Sequence, residues 1–106
     1  MKTLDLTSVI TDIKIILAQN PGSVKRVGVF GSLAKGNTTD KSDIDIAIEY
    51  LGEVEFDFSR FVKFCEVCEY ISESIAKNYG RTVDLVHVEE GADSLLFEIQ
   101  DDVIWI

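Results

Sequence analysis

Hydrophobic and polar positions along the chain repeat with two different periods. From 5 to 19, Leu6, Val9, Ile10, Ile13, Ile16 and Leu17 recur every three or four residues, the spacing of one helix face. Asn20, Pro21 and Gly22 end that helix, since proline removes a donor and disfavours helix before it; Asp5 or Thr3 suits its N-cap. Residues 26–30 read as a short strand. From Asp43 the period drops to two: Asp43, Asp45, Ala47 and Glu49 project to one side and Ile44, Ile46 and Ile48 to the other, which predicts a second strand over 44–50. Helical spacing returns over 59–79 with Phe61, Phe64, Cys65, Cys68, Ile71, Ile75 and Tyr79, and Gly80 is placed to stop it. Phe58 and Tyr70 add to that stripe and leave apolar surface to spare. A third strand over 82–88 sets Val83, Leu85 and His87 against Thr82, Asp84, Val86 and Val88, so Asp84 shares a face with apolar residues, a costly place for an unpaired carboxylate. Asp93 caps a last short helix to about 100, and the apolar run 103–106 suits an edge strand. The pattern predicts one α+β domain over 1–106, with α/β packing: a mixed sheet of three or four strands, the first and third of the three helices on one face.

Composition narrows the function. A chain of 106 residues with 46% hydrophobic residues and one proline builds one core and is not disordered. No apolar run approaches the ~18 residues of a membrane span, and the first residues lack a secretory apolar segment, so a cytoplasmic location is expected. Nineteen acidic residues against ten basic give a net charge of −9, which excludes autonomous nucleic-acid binding unless a basic stripe concentrates the cations. No such stripe is present; Lys25, Arg26, Lys35 and Lys41 are expected to flank the site described next. Cys65 and Cys68 have zinc or redox spacing, but there is no second cysteine pair and only one histidine, so both are expected to pack in the core.

The candidate chemistry lies in 31–49. The strand ending at Phe30 runs into Gly31-Ser32, where small residues expose backbone N–H groups and a hydroxyl to phosphate oxygens. Ten residues later come Asp43 and Asp45, on one strand face with Cα atoms only ~7 Å apart. Like charges so placed repel, and a hard divalent cation such as Mg2+ between them relieves the repulsion. Each residue also has a plainer reading: an ordinary turn for Gly31-Ser32, a bond to Arg81 or nearby loop backbone for Asp84, a solvated charge for Lys35, a packed or solvent-facing ring for His87.

Gly31, Ser32, Leu33, Ala34, Lys35 and Gly36, followed by Ser42, Asp43, Ile44 and Asp45, resemble the signature of the nucleotidyltransferases related to DNA polymerase β. The short length is similar to the minimal nucleotidyltransferases that pair with HEPN-domain proteins in toxin–antitoxin systems. The resemblance implies that Gly31 and Ser32 contact nucleotide phosphates, and that Asp43 and Asp45 hold Mg2+ (two ions), with Asp84 as the third carboxylate; Lys35, as a point charge in the same loop, is a further candidate for the phosphates. It further implies transfer of a nucleoside monophosphate, AMP from ATP, to a hydroxyl, with a tyrosine of a helical HEPN-type partner as the neutralising target. One departure is Leu33, which stands where this branch often has a basic residue. The competing expectations are a non-catalytic module that masks its partner, and transfer to a small-molecule hydroxyl; homo-oligomer formation is left open.

Overall fold

Strand β2 (Ile44–Tyr50) lies inside a four-stranded sheet of order β3-β2-β1-β4. The computed structural model describes residues 2–52, 57–88 and 103–106. β2 pairs antiparallel with β1 (Val24–Phe30), which pairs antiparallel with the short β4 (Ile104–Trp105); on its other side β2 pairs parallel with β3 (Val83–Val88). The sheet is therefore mixed, as expected, and 103–106 does contribute an edge strand. Among the described residues no helix is long and apolar enough to cross a membrane.

Helix α1 (Leu6–Gln19) begins where the Asp5 carboxylate accepts from Thr7 N–H, and α3 (Phe58–Tyr79) where Asp57 accepts from Arg60 N–H. α3 ends at Gly80, whose φ of 62° is the left-handed conformation a glycine C-cap adopts without steric cost. Val9, Ile13 and Ile16 of α1 and Phe64, Val67, Ile71, Ile75 and Tyr79 of α3 form one core with Val27, Val29 and the three isoleucines of β2. Both helices thus cover the isoleucine face. The short helix expected over 93–100 falls outside the described residues, so the pair of helices found on one face is the first and the long one.

One expectation about α3 needs correction: Cys68 packs against the core, but Cys65 does not. Cys65 is exposed and Cys68 only half-buried, while Val67 takes a core position; the helix is rotated by roughly a residue from the stripe read through the cysteines. Burial, then the neighbouring Cys65, pushes the Cys68 thiol up to about 11, so it is a poor thiolate nucleophile. At the other end, the buried Tyr79 hydroxyl donates to Asp12 at 2.8 Å, and Lys2 bonds the same carboxylate. Burial would raise the Asp12 pKa, but those two bonds and the Lys2 charge outweigh it and bring it down. The link therefore contributes stability above the ordinary carboxylate pKa and loses it in acid.

The opposite face of the sheet is unlike the helical one. Gly28 pairs with both Ala47 and Trp105, and Arg26 with Glu49. Glu49 is buried, its carboxylate held by Arg26 Nε at 2.8 Å and Lys25 Nζ at 3.3 Å, and the Arg26 guanidinium stacks 3.8 Å above the Trp105 ring. Lys25 and Arg26 do not flank the Asp43–Asp45 site, as the sequence suggested. They neutralise Glu49 four residues along β2, roughly 13 Å away at strand rise.

Gly28 is what lets β4 close on β1: a Cβ there would meet Val103 Cγ1 and come within 2.8 Å of the Trp105 ring. Gly28→Ala should thus destabilise by about 1–3 kcal/mol through overpacking, although glycine to alanine in a strand interior usually stabilises. Trp105 is the only tryptophan, so its fluorescence during urea unfolding reports the loss, and an emission shift before global unfolding would show β4 leaving first.

Candidate active site

The register of the sheet brings the predicted carboxylates together. Asp45 lies opposite Phe30 of β1 on one side and opposite Asp84 of β3 on the other. In a parallel pair such partners project to the same face, with neighbouring strands about 4.8 Å apart. Asp43 is the residue just before β2. Asp45 is half-buried, whereas Asp43 and Asp84 are exposed. Burial, then the charges of Asp84 and Asp43, raises the Asp45 pKa above its ordinary 3.8.

Asp84 does share a face with Val86 and Val88, but its exposure at the strand's start removes the burial cost the sequence implied. Nor is it paired with Arg81. That guanidinium donates through Nη1 to the carbonyls of Thr39, at 2.7 Å, and Ser42, at 3.0 Å. Among the described residues none of the three carboxylates makes a hydrogen bond or ion pair.

Gly31-Ser32 is not a loop turn. The two residues open a five-residue helix, α2 (Gly31–Lys35), closed by Gly36 at φ 76°. Gly31 itself has φ 70°, and a Cβ on it would run into Asp45 Oδ2. The backbone therefore touches the carboxylate, a closeness only glycine permits. Phe30 supplies no side-chain cap to α2, so its first N–H groups are left for another acceptor. Ser32 is half-buried; Leu33 is buried in the core, so the departure at this position is a packing residue and offers nothing to a phosphate. Lys35, exposed on the last turn, borders a shallow groove with Leu4 and Asp5 at the start of α1. His87 points to the helical side, its ring 5.1 Å from that of Phe64, and takes no part in the site.

The chemistry of the donor set fits a hard cation: three carboxylates, mutually repelling, with no described cation committed to them. Among the described residues no three His, Cys, Asp or Glu side chains lie close enough to enclose an ion as they stand. The two observations agree, because Coulomb coupling reaches farther than a coordination bond. Sequence reasoning passed over two contributors, the contact of Gly31 with Asp45 and the Arg81 bonds. The positive φ of the first depends on where β2 runs, and the second joins residues about forty positions apart.

Comparison with known proteins gives the family and the fold. The family described as Polymerase beta, Nucleotidyltransferase matches residues 11–106. Protein adenylyltransferase MJ1379 of Methanocaldococcus jannaschii, a name given to it provisionally, is 34% identical over 108 residues, which span 100% of both chains. A crystal structure of a toxin–antitoxin with AMP-PNP superposes with a TM-score of 0.62 at 21% identity, covering 90% of this chain and 69% of that one. A tri-AMPylated Shewanella oneidensis HEPN toxin in complex with an MNT antitoxin gives 0.56 at 18%, covering 94% and 70%. At these identities the two structures speak for the fold, and the family match and the relative for descent. The family match over residues 11–106 and a relative 34% identical across the whole chain show that the chain belongs to the Polymerase beta nucleotidyltransferase family.

Proposed function

We propose that this chain transfers AMP from ATP to a tyrosine hydroxyl of a HEPN-type partner, in the cytoplasm, and so acts as the antitoxin of a toxin–antitoxin pair. The observation that supports this reading most is the pairing of Asp45 with Asp84 on adjacent strands, next to Asp43 and with no neutralising side chain among the described residues, Asp45 lying against the Gly31 backbone. The provisional name of MJ1379 and the tri-AMPylated toxin bound to its MNT antitoxin support the choice of AMP and of a protein acceptor.

Asp43, Asp45 and Asp84 would hold Mg2+, which when bound neutralises the triphosphate and acidifies the acceptor hydroxyl. Gly31 N–H and Ser32 hold the β and γ phosphates, with Lys35 as a point charge, so that the leaving group stays in line. The acceptor oxygen attacks the α-phosphorus and forms the new P–O bond. The bond from that phosphorus to the bridging oxygen breaks, and pyrophosphate departs with the electron pair. Asp84, exposed at the edge strand, takes the hydroxyl proton and passes it to solvent.

The raised Asp45 pKa fixes the sign of two effects. A carboxyl with a raised folded pKa contributes stability below its ordinary value and loses it as pH rises through the folded value. Ionised Asp45 therefore costs the metal-free chain stability at neutral pH. Asp45→Asn should melt higher than wild type at pH 7, with the difference closing as pH falls toward 3.8. Mg2+ with ATP should raise the wild-type melting temperature and not the variant's, and transfer should fall at least about 100-fold. Equal metal-dependent shifts in both would place the metal elsewhere.

Gly31→Ala tests the phosphate side. A side chain at this φ costs roughly 1–2 kcal/mol, read by denaturation, and its clash with Asp45 should lower transfer beyond what the stability loss explains.

The acceptor is tested by mixing the chain with a co-encoded helical protein, ATP and Mg2+ and weighing the partner intact. The expected result is a gain of one or more AMP units, absent with Asp45→Asn. An unchanged partner mass, with Asp45→Asn still neutralising the partner, would favour masking by contact.

A further inference from the structure

We infer that Arg81 is a positioning residue for the carboxylate site: it fastens the turn before Asp43 to the strand that carries Asp84. This rests on the nucleotidyl-transfer reading above and adds a residue to it. One nitrogen, Nη1, donates to both the Thr39 and Ser42 carbonyls, at 2.7 and 3.0 Å. Ser42 is the residue before Asp43, so the second bond holds the peptide that leads into the first carboxylate.

The anchor is itself fixed. Gly80 turns the chain out of α3 in the left-handed conformation, and Arg81 N–H then donates to the Ala76 carbonyl at 3.2 Å. One residue on, the Thr82 carbonyl accepts from Ile44 N–H at 2.9 Å, between Asp43 and Asp45. Arg81 and Thr82 thus hold 39–44 at Thr39, Ser42 and Ile44, and two residues later the same strand delivers Asp84.

The turn is further closed on itself. Ser42 Oγ accepts from Thr39 N–H at 2.7 Å, and Ser42 N–H donates to the Thr39 carbonyl at 3.2 Å. These bonds set the shape of the turn, and the Arg81 bonds set its place. An exposed turn lacking the second kind keeps its shape and swings as a unit, which would leave Asp43 ordered relative to Ser42 and misplaced relative to Asp45 and Asp84. Residues that orient metal-binding groups in this way typically govern affinity by about 10- to 100-fold when removed.

The experiment compares wild type with Arg81→Gln and Arg81→Lys in three measurements: amide hydrogen exchange over 37–44, Mn2+ affinity from a titration without turnover, and the Mg2+ dependence of AMP transfer. Arg81→Gln is expected to speed exchange at Ser42 and Ile44, to weaken Mn2+ roughly 10-fold or more, and to raise the Mg2+ needed for half-maximal transfer by a similar factor with the rate at saturating Mg2+ largely kept. Because both bonds come from one nitrogen, Arg81→Lys should recover a substantial part of each effect. Unchanged exchange and Mn2+ affinity in Arg81→Gln would overturn the inference, as would losses that follow global melting alone and are not recovered by lysine. If wild type transfers no AMP while exchange and Mn2+ affinity respond as expected, the transfer reading falls and the positioning role stands.

Discussion

The register of β2 is the constraint on which the rest of the molecule depends. Ile44, Ile46 and Ile48 are fully buried between the sheet and the two long helices, each contributing about 1.5–3 kcal/mol relative to exposure. A slip of one residue would turn them outward and drive Asp45 and Glu49 into the core, where an unpaired carboxylate is far costlier than any strand pairing repays. The register that burial selects also sets Asp45 beside Asp84 and against Gly31. Hydrophobic packing on one face thus holds together, on the other, charges that repel each other.

The polar face treats its two ends differently. Glu49 has two cations, one of them stacked on an aromatic ring, so a buried charge there is fully compensated and the edge strand β4 is tied in. At the other end, among the described residues, Asp45 receives only further negative charge, from Asp84 and Asp43. Arg81 is near in the fold, yet its side-chain bonds go to backbone carbonyls. The sheet thus neutralises one carboxylate of β2 twice and leaves the other, Asp45, beside Asp84 with no described cation.

Much of this was legible in the sequence because it follows from periods. Strict alternation placed β2 to the residue and assigned its faces, and helical spacing located α1 and α3 within a residue at each end. The spacing from Gly31-Ser32 to Asp43 and Asp45, with Asp84 on a later strand, carried the family. What was not legible depends on long-range placement. Lys25 and Arg26 look adjacent to the site in sequence, but an antiparallel return puts the start of β1 beside the end of β2. Cys65 fits an apolar stripe in spacing, yet the helix turns Val67 inward, because the stripe that wins is the one fitting the isoleucine face. Gly31-Ser32 reads as a turn, since a five-residue helix has too few positions to show a period.

The exposure of Asp43 and Asp84 bears on how such a site selects its acceptor. On the transfer reading, the chain provides a phosphate and metal half, with Asp84 on the edge strand β3 and no described residue over it, so water has access to the same phosphorus as any hydroxyl. Selectivity for a tyrosine then has to come from binding rather than from a closed pocket. A docked hydroxyl held in line reaches effective molarities on the order of 10⁵ M or more, well above the concentration of water, but only while the partner is seated. Phe58, Val62 and Tyr70 are exposed along α3, at 71%, 41% and 50%, and the chain's net negative charge would steer a basic surface toward it.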